Sequence, residues 1–199
     1  MSISKAVRRR PRAKRKIAPA AVLPLTVSRP ALLQAGSDRR FRALVHDLLT
    51  ISTRMELVRQ HLGDRIGMSG PQYSVLIAVA HLQEGNGVSV GAVADALHVS
   101  SAFVASETGK LALRGLLDKR TNPRDRRGVL VSVSPAGRQA IARIGAEIRA
   151  INDLFFGALG SKGFAALSAT IAALVGSSRK AIDYVNAGAP DTRRLEAAE

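Results

Sequence analysis

The chain contains no cysteine. That excludes disulfides, cysteine-zinc sites and sensing by thiol oxidation. Its four histidines, His46, His61, His81 and His98, show no metal-ligand spacing, so no metal is expected and each reads as structural or solvated. No apolar run is long enough to span a bilayer. The basic N-terminus is not followed by the apolar segment and cleavage pattern of a secretory signal. A cytoplasmic protein without membrane association is the simplest expectation. Catalytic signatures are missing as well: there is no Gly-rich phosphate loop, nucleophile constellation, metal cluster or paired catalytic carboxylates. Neither an enzyme nor a cofactor is expected.

Acidic residues are scarce, and their scarcity is uneven. The chain has 30 Lys and Arg against 15 Asp and Glu, a net charge of +15. Residues 1–37 hold nine of the cations (Lys5, Arg8, Arg9, Arg10, Arg12, Lys14, Arg15, Lys16, Arg29) and no acid, which leaves the remaining residues at +6. The excess favours a polyanionic partner, nucleic acid or an anionic surface, although the N-terminal segment distorts the global figure. Residues 1–36 are rich in Arg, Lys, Pro and Ala with no periodic apolar face, and read as a disordered basic tail. Two roles stay open for it: a solvated tail, or an arm that adds non-specific phosphate contacts.

From Asp38 the pattern becomes helical. Phe41, Leu44, Val45, Leu48, Ser52, Met55, Val58 and Leu62 follow three- and four-residue steps, predicting a long amphipathic helix that ends near Gly63. Ser69 with Gln72 has capping-box spacing and Pro71 suits a first turn, so a second helix follows to Gly85-Asn86-Gly87. Val88-Ser89-Val90 reads as a small strand. Val93, Ala94 and Leu97 mark a short third helix, His98-Val99 a turn, and Ser100 the N-cap of a fourth helix reaching about Arg114, with Val104, Thr108 and Leu111 inward. Gly115 ends it. Leu116 to Thr121 and Gly128 to Val133 are the predicted strands of a hairpin. Ser134-Pro135 opens a fifth helix whose stripe is Ile141, Ile144, Ile148, Ile151 and Phe155, with heptad-like steps. A sixth carries Phe164, Leu167, Ile171, Leu174, Ile182 and Val185, and residues 189–199 read as frayed.

This is a mainly α chain with a small β-wing: a winged helix-turn-helix over about 69–134 within a domain at 37–188. It is flanked by long helices at about 38–62 and 135–186. The apolar stripes on those helices exceed what a small winged domain covers. Either they pack on one another, or they form the interface of a homodimer whose two reading heads face a pseudo-palindromic site on double-stranded DNA.

In a helix-turn-helix the second helix presents its N-terminal side chains to base edges in the major groove. Here these are Ser100, Ser101, Ala102, Phe103, Ala105 and Ser106. None is an Arg, Asn or Gln able to read a base bidentately, although a methyl or ring can touch a thymine methyl. Phe103 reads equally as a core residue. Lys110, Arg114, Lys119 and Arg120 are candidate phosphate contacts. The hairpin tip is Asn122-Pro123-Arg124-Asp125-Arg126-Arg127. Asp125 and Arg127, two apart on a strand, share a face, so the carboxylate can aim the guanidinium into a narrow minor groove. Arg124 and Arg126 are then left for the backbone. The alternative is a surface ion pair of little energetic value.

Positions 69–140 resemble the MarR family of bacterial transcriptional regulators. The resemblance is carried by Ser-Gly-Pro-Gln-Tyr at 69–73, Val-Gly-Ala-Val-Ala-Asp-Ala-Leu at 90–97 and Lys110-Leu111 with Arg114-Gly115-Leu116. The hairpin tip at 122–127 and Val-Ser-Val-Ser-Pro-Ala-Gly at 131–137 complete it. It implies a homodimeric, nucleoid-associated repressor whose wing-tip pair, at Asp125 and Arg127, enters the minor groove. It also implies release of DNA by a small, often aromatic and anionic ligand. By analogy that pocket lies among the first, second and fifth helices, with His46, Arg54, His61 and Tyr73 as its polar candidates. The chain departs from the family where Ala105 and Ser106 replace the usual Thr and Arg, and where His98 takes a turn position often held by Gly. The alternative function is a low-specificity, nucleoid-type DNA-binding protein driven by the basic tail.

Overall fold

Serine starts most of the helices in this chain. After α1 (Arg39–Arg65) come α2 (Gly70–Leu82), α3 (Val90–Leu97), α4 (Ser101–Leu113) and α5 (Pro135–Arg143). Each of these four begins at a serine whose hydroxyl accepts a backbone N–H of the first turn: Ser69 from Gln72, Ser89 from Ala92, Ser100 from Phe103 and Ser134 from Gly137. Such a cap satisfies one of the orphan donors of a helix start and is worth about 1 kcal/mol. At Ser69 the box is complete, because Gln72 also accepts from the Ser69 N–H. The computed structural model describes residues 23–85, 87–123 and 125–188, without the side chains of 125–127. The basic segment 1–22, Arg124, the side-chain roles given to Asp125, Arg126 and Arg127, and the C-terminus at 189–199 therefore lie outside the described residues.

The chain forms two units, residues 1–53 and 54–199. In the first, Pro30–Leu32 makes a 3-10 turn, and Gln34 bridges Ser37 around Ala35 and Gly36, both at positive φ (50° and 75°). Asp38 is only 2 % exposed. Its carboxylate accepts from the Thr26 N–H at 2.8 Å and the Thr26 hydroxyl at 2.7 Å, and meets the Arg42 guanidinium at 3.1 Å. The Thr26 bonds hold this carboxyl below the usual aspartate range. Residues 23–37 are thus tied to the start of α1, whereas composition alone extends the disordered tail to residue 36. Two hydrogen bonds twelve residues apart leave no trace in composition.

In the second unit, three antiparallel strands β1 (Val88–Ser89), β2 (Leu117–Asn122) and β3 (Asp125–Val133) lie in the order β1-β3-β2. Val88 pairs with Val131, and Leu117 with Val133. The β2–β3 register shifts after Thr121, so that Asn122 faces Asp125 at the hairpin end. The core fills the space between this sheet and α2–α4: Val75, Leu76, Val79, Val93, Val104, Leu111 and Val131 are fully buried. A second cluster of Leu62, Tyr73 and Ile144 joins the end of α1 to α2 and the segment after α5, with Val58, Ile77, Ile148 and Ile151 packed on it.

Two sequence-based helices change. The first continues past Gly63 to Arg65. Gly63 lies inside it at a point where an added Cβ would sit 2.8 Å from the Met68 carbonyl oxygen. The fifth does not run unbroken to Phe155. It ends at Arg143, and α6 (Gly145–Phe155) begins anew. Ile144, at φ −102° and ψ 5°, makes the break, and its N–H bonds Ile141 three residues back. A buried Ile144 side chain and a helix-weakening Gly145 meet at this point. The stripe from Ile141 to Phe155 therefore crosses two helices. The final helix, α7 (Ser161–Asn186), buries no residue.

Candidate nucleic-acid interface

The turn between α3 and α4 is closed by His98, whose φ of 54° and ψ of 42° are left-handed. His98 donates its N–H to Asp95 at 3.3 Å, and Val99 donates to Ala94 at 3.1 Å. An imidazole thus occupies a conformation that favours glycine, as the sequence reading allows. The turn delivers the chain to Ser100, which caps α4.

Inward and outward faces of α4 are chemically distinct. Val104, Thr108 and Leu111 are fully buried, and the Thr108 hydroxyl donates to the Val104 carbonyl at 2.8 Å. Ser101, Ala102, Phe103, Ala105 and Ser106 are exposed. Phe103, ambiguous in sequence, is 36 % exposed and stands outside both core clusters. Glu107 turns inward and holds the Lys110 ammonium at 2.6 Å, so this lysine is partly neutralised within its own helix. Lys119 is exposed on β2 with its ammonium beside Gly109 of α4, where an added Cβ would meet it at 3.8 Å. Arg120 is exposed on the same strand. Arg114 caps the end of α4 and is turned toward Gly67, which follows α1. The hydroxyls, ring and methyls therefore lie at one end of the reading face, the cations at the other and on the adjoining strand.

The base of the hairpin is held rigidly. Ser134 donates its hydroxyl to the Gly115 carbonyl at 2.6 Å and accepts from the Gly137 N–H at 3.0 Å. A side chain at 137 would run into the Leu116 carbonyl. The Val133 N–H donates to Gln83 at 2.7 Å, and Arg138 donates to the Val133 carbonyl at 2.7 Å. The end of the reading helix, the return strand of the wing and the start of α5 thus form one hydrogen-bonded joint. Gln83 and Arg138 carry no sequence signal for this role, because their partners are backbone groups, 50 and 5 residues away in the chain, that any residue would present.

Residues 66–128 match the family model described as the MarR family. Over this stretch the chain is similar to the MarR family. The 6-hydroxynicotinic-acid-regulated DNA-binding protein BpsR of Bordetella bronchiseptica is similar in fold at 25 % identity and a TM-score of 0.54, over 67 % of this chain and 98 % of that one. The PcaV regulator of Streptomyces coelicolor, solved with its natural ligand, is 24 % identical with a TM-score of 0.50, over 64 % and 91 %. The S. aureus MepR–DNA complex is 14 % identical with a TM-score of 0.57, over 67 % and 96 %. Among curated proteins no sequence matches.

Three of the four ligand candidates named from the MarR resemblance lie on α1 and the fourth on α2. His46 and Arg54 are exposed on α1. His61 stands 2.8 Å from Glu147 of α6, whose other oxygen accepts from Arg65 at 2.9 Å. Tyr73 is buried and borders a cavity of about 260 Å³ with Arg59, Ser74, Ile77, His81 and Leu97. Burial raises the Tyr73 phenol above its ordinary value, against the pull of the Arg59 charge. Arg59 and His81 were missed in the sequence. The signal for His81 was present: Tyr73, Ile77 and His81 recur every four residues on one face of α2.

Proposed function

We propose that this chain is a homodimeric, DNA-binding transcriptional regulator that represses until a small anionic aromatic ligand releases it from a pseudo-palindromic operator. The observation that carries the DNA-binding part is the pairing of a serine-capped α4, exposed along its first two turns, with a cationic hairpin braced against its far end. The dimer reading rests on α7. Phe164, Leu167, Ile171, Leu174, Ile182, Tyr184 and Val185 are all exposed along its 26 residues. An apolar stripe of that length in water calls for a partner surface. A second copy of the chain supplies it and sets two reading heads on a two-fold axis.

The ligand reading is supported by the cavity on α2. Arg59 and His81 offer positive charge and hydrogen bonds to a carboxylate, and Tyr73 and Ile77 offer apolar walls. His46, Arg54 and His61 remain further candidates. The cavity adjoins α3, the first helix of the reading unit, through Ala96 and Leu97, so occupancy there bears directly on the position of α4. BpsR and PcaV, whose structures concern 6-hydroxynicotinic acid and a natural ligand, lend this chemistry its precedent. Cytoplasmic, nucleoid-associated localisation follows from the same reading.

The test is selection of a preferred site from random duplex DNA by the full-length protein, followed by titration of the complex with small aromatic acids. A two-fold-symmetric site released by one of them is expected. Binding without sequence preference would replace this reading with that of a nucleoid-type protein driven by the basic N-terminus.

A further inference from the structure

The exposed positions over the first two turns of α4 are Ser101, Ala102, Phe103, Ala105 and Ser106. No side chain there presents a fixed donor–acceptor pair. The ionisable group within this span, Glu107, faces inward and is committed to Lys110. What the helix does offer is a phenyl ring and two methyls, next to Val99, which is exposed just before the helix cap. The ring sits on a fixed base, since the Phe103 N–H donates to the capping Ser100 hydroxyl at 3.2 Å. Only two side-chain torsions remain to place it.

We infer that α4 selects its DNA through C5-methyl groups in the major groove, with the Phe103 ring as the specificity-determining side chain. This rests on the DNA-binding reading above. A hydroxyl can donate to or accept from any base edge and discriminates weakly. Thymine differs from the other bases in the major groove by a methyl group as well as by its O4 acceptor. An apolar ring reads the methyl and ignores the acceptor, and a cytosine carrying a C5-methyl presents the same feature. Lys119 beside the far end of α4 and Arg120 on the adjoining strand put positive charge on the same side of the fold, which fits a duplex better than an apolar protein surface.

Deoxyuridine replaces thymine without its methyl and leaves the pairing edge intact. The methyl lies in the major groove, so the substitution bypasses the wing in the minor groove. With the selected site and the full chain, replacing each thymine in turn is expected to weaken binding about three- to tenfold at one or two positions per half-site. Phe103→Ala should bind thymine and uridine versions equally, because the ring that tells them apart is gone. Its helix content, checked by circular dichroism, should match the parent, since the ring contributes to neither core cluster. At the sensitive position, cytosine should bind weakly and 5-methylcytosine better.

A uridine penalty that persists undiminished in Phe103→Ala reports DNA shape rather than contact and overturns the inference. So does a site with no sensitive thymine, or 5-methylcytosine no better than cytosine. In those cases sequence preference survives and the regulator reading stands. Absence of any preferred sequence removes the regulator reading first, and this inference with it.

Discussion

His61 Nε2 lies 2.8 Å from Glu147 Oε1, joining the C-terminal part of α1 to α6 across more than eighty residues of sequence. Arg65 donates to the other carboxylate oxygen. The Glu147 carboxyl is held below its ordinary value of 4.5, first by the His61 hydrogen bond and then by that of Arg65. A depressed carboxylate stabilises the fold above its unfolded pKa and loses that contribution as pH falls through the folded value. Glu147→Gln should therefore melt at a lower temperature than the parent at neutral pH. The two should converge as pH drops below 4.5. Melting curves from pH 7 to pH 3 check this; a gap that stays constant would mean that the bridge acts through packing rather than charge.

The reading helix is seated by its inward face. Leu111 is fully buried between α2, α3 and the sheet. Leu111→Ala removes its methyls and leaves a cavity, at a cost of about 2–5 kcal/mol. In urea titration the midpoint should fall while the slope stays unchanged, the signature of lost stability without a changed unfolded state. A cost under about 1 kcal/mol would mean that the neighbours collapse into the space.

Much of this architecture could be read from local signals. The caps at Ser69, Ser100 and Ser134, the left-handed His98 and the helical spacing of Val104, Thr108 and Leu111 depend on residues within four positions of one another, and each appears in the structure, whereas Ser89, read as part of a strand, caps α3. The parts that escaped reading are non-local. The break at Ile144 lies inside an apolar stripe whose spacing is continuous; Gly145 alone does not end a helix, and the burial of Ile144 beside Leu62 and Tyr73 completes the signal. The Thr26–Asp38 bonds and the Gln83–Val133 bond join residues whose identities are unremarkable alone. His61, a pocket candidate from the resemblance, has a partner 86 positions away that no spacing announces. Periodicity predicts which face is apolar and is silent about what meets it.

Thr26 ties the described part of the N-terminal segment to the start of α1. Thr26→Ala removes the hydroxyl donor to Asp38 and leaves the backbone N–H in place. Residues 23–37 should then open more readily, seen as faster amide exchange at Leu33 and Ser37 with no change in the second unit. Deletion of residues 1–22 should spare this contact. If the cations of that segment touch phosphates, the deletion makes the dependence of log affinity on log salt shallower and preserves sequence preference. An unchanged slope would mark the segment as solvated only.

Ile171 and Leu174 lie in the middle of the exposed stripe on α7. Placing charges there, as Ile171→Asp with Leu174→Glu, buries two unpaired carboxylates if α7 lies in a dimer interface, and is harmless if α7 stands in water. Analytical ultracentrifugation should show a dimer for the parent and a monomer for the double variant. Retention of the dimer would place the interface elsewhere. The variant should also lose most affinity for the full operator, since a single reading head grips only a half-site.

Arg127 carries the sharpest expectation for the wing. It follows Asp125 by two positions on β3, the strand that returns from the hairpin tip, and the sequence reading gives its guanidinium to the minor groove. A narrow, A·T-rich minor groove concentrates negative potential, so a guanidinium there gains more than one at the open backbone. Arg127→Ala should weaken operator binding by about 1–3 kcal/mol, roughly five- to 150-fold, with the dimer intact. Asp125→Asn should give part of the same loss, because the aiming carboxylate is gone while the charge that enters the groove remains. Substituting inosine–cytosine for the A·T pairs under the wing separates shape from chemistry: it preserves the minor-groove pattern and should be tolerated. Guanine–cytosine pairs add an exocyclic amine there and should not be. Equal affinity of Arg127→Ala for all three sites, at the level of the parent, would remove the minor-groove assignment and leave Arg127 as one more surface cation.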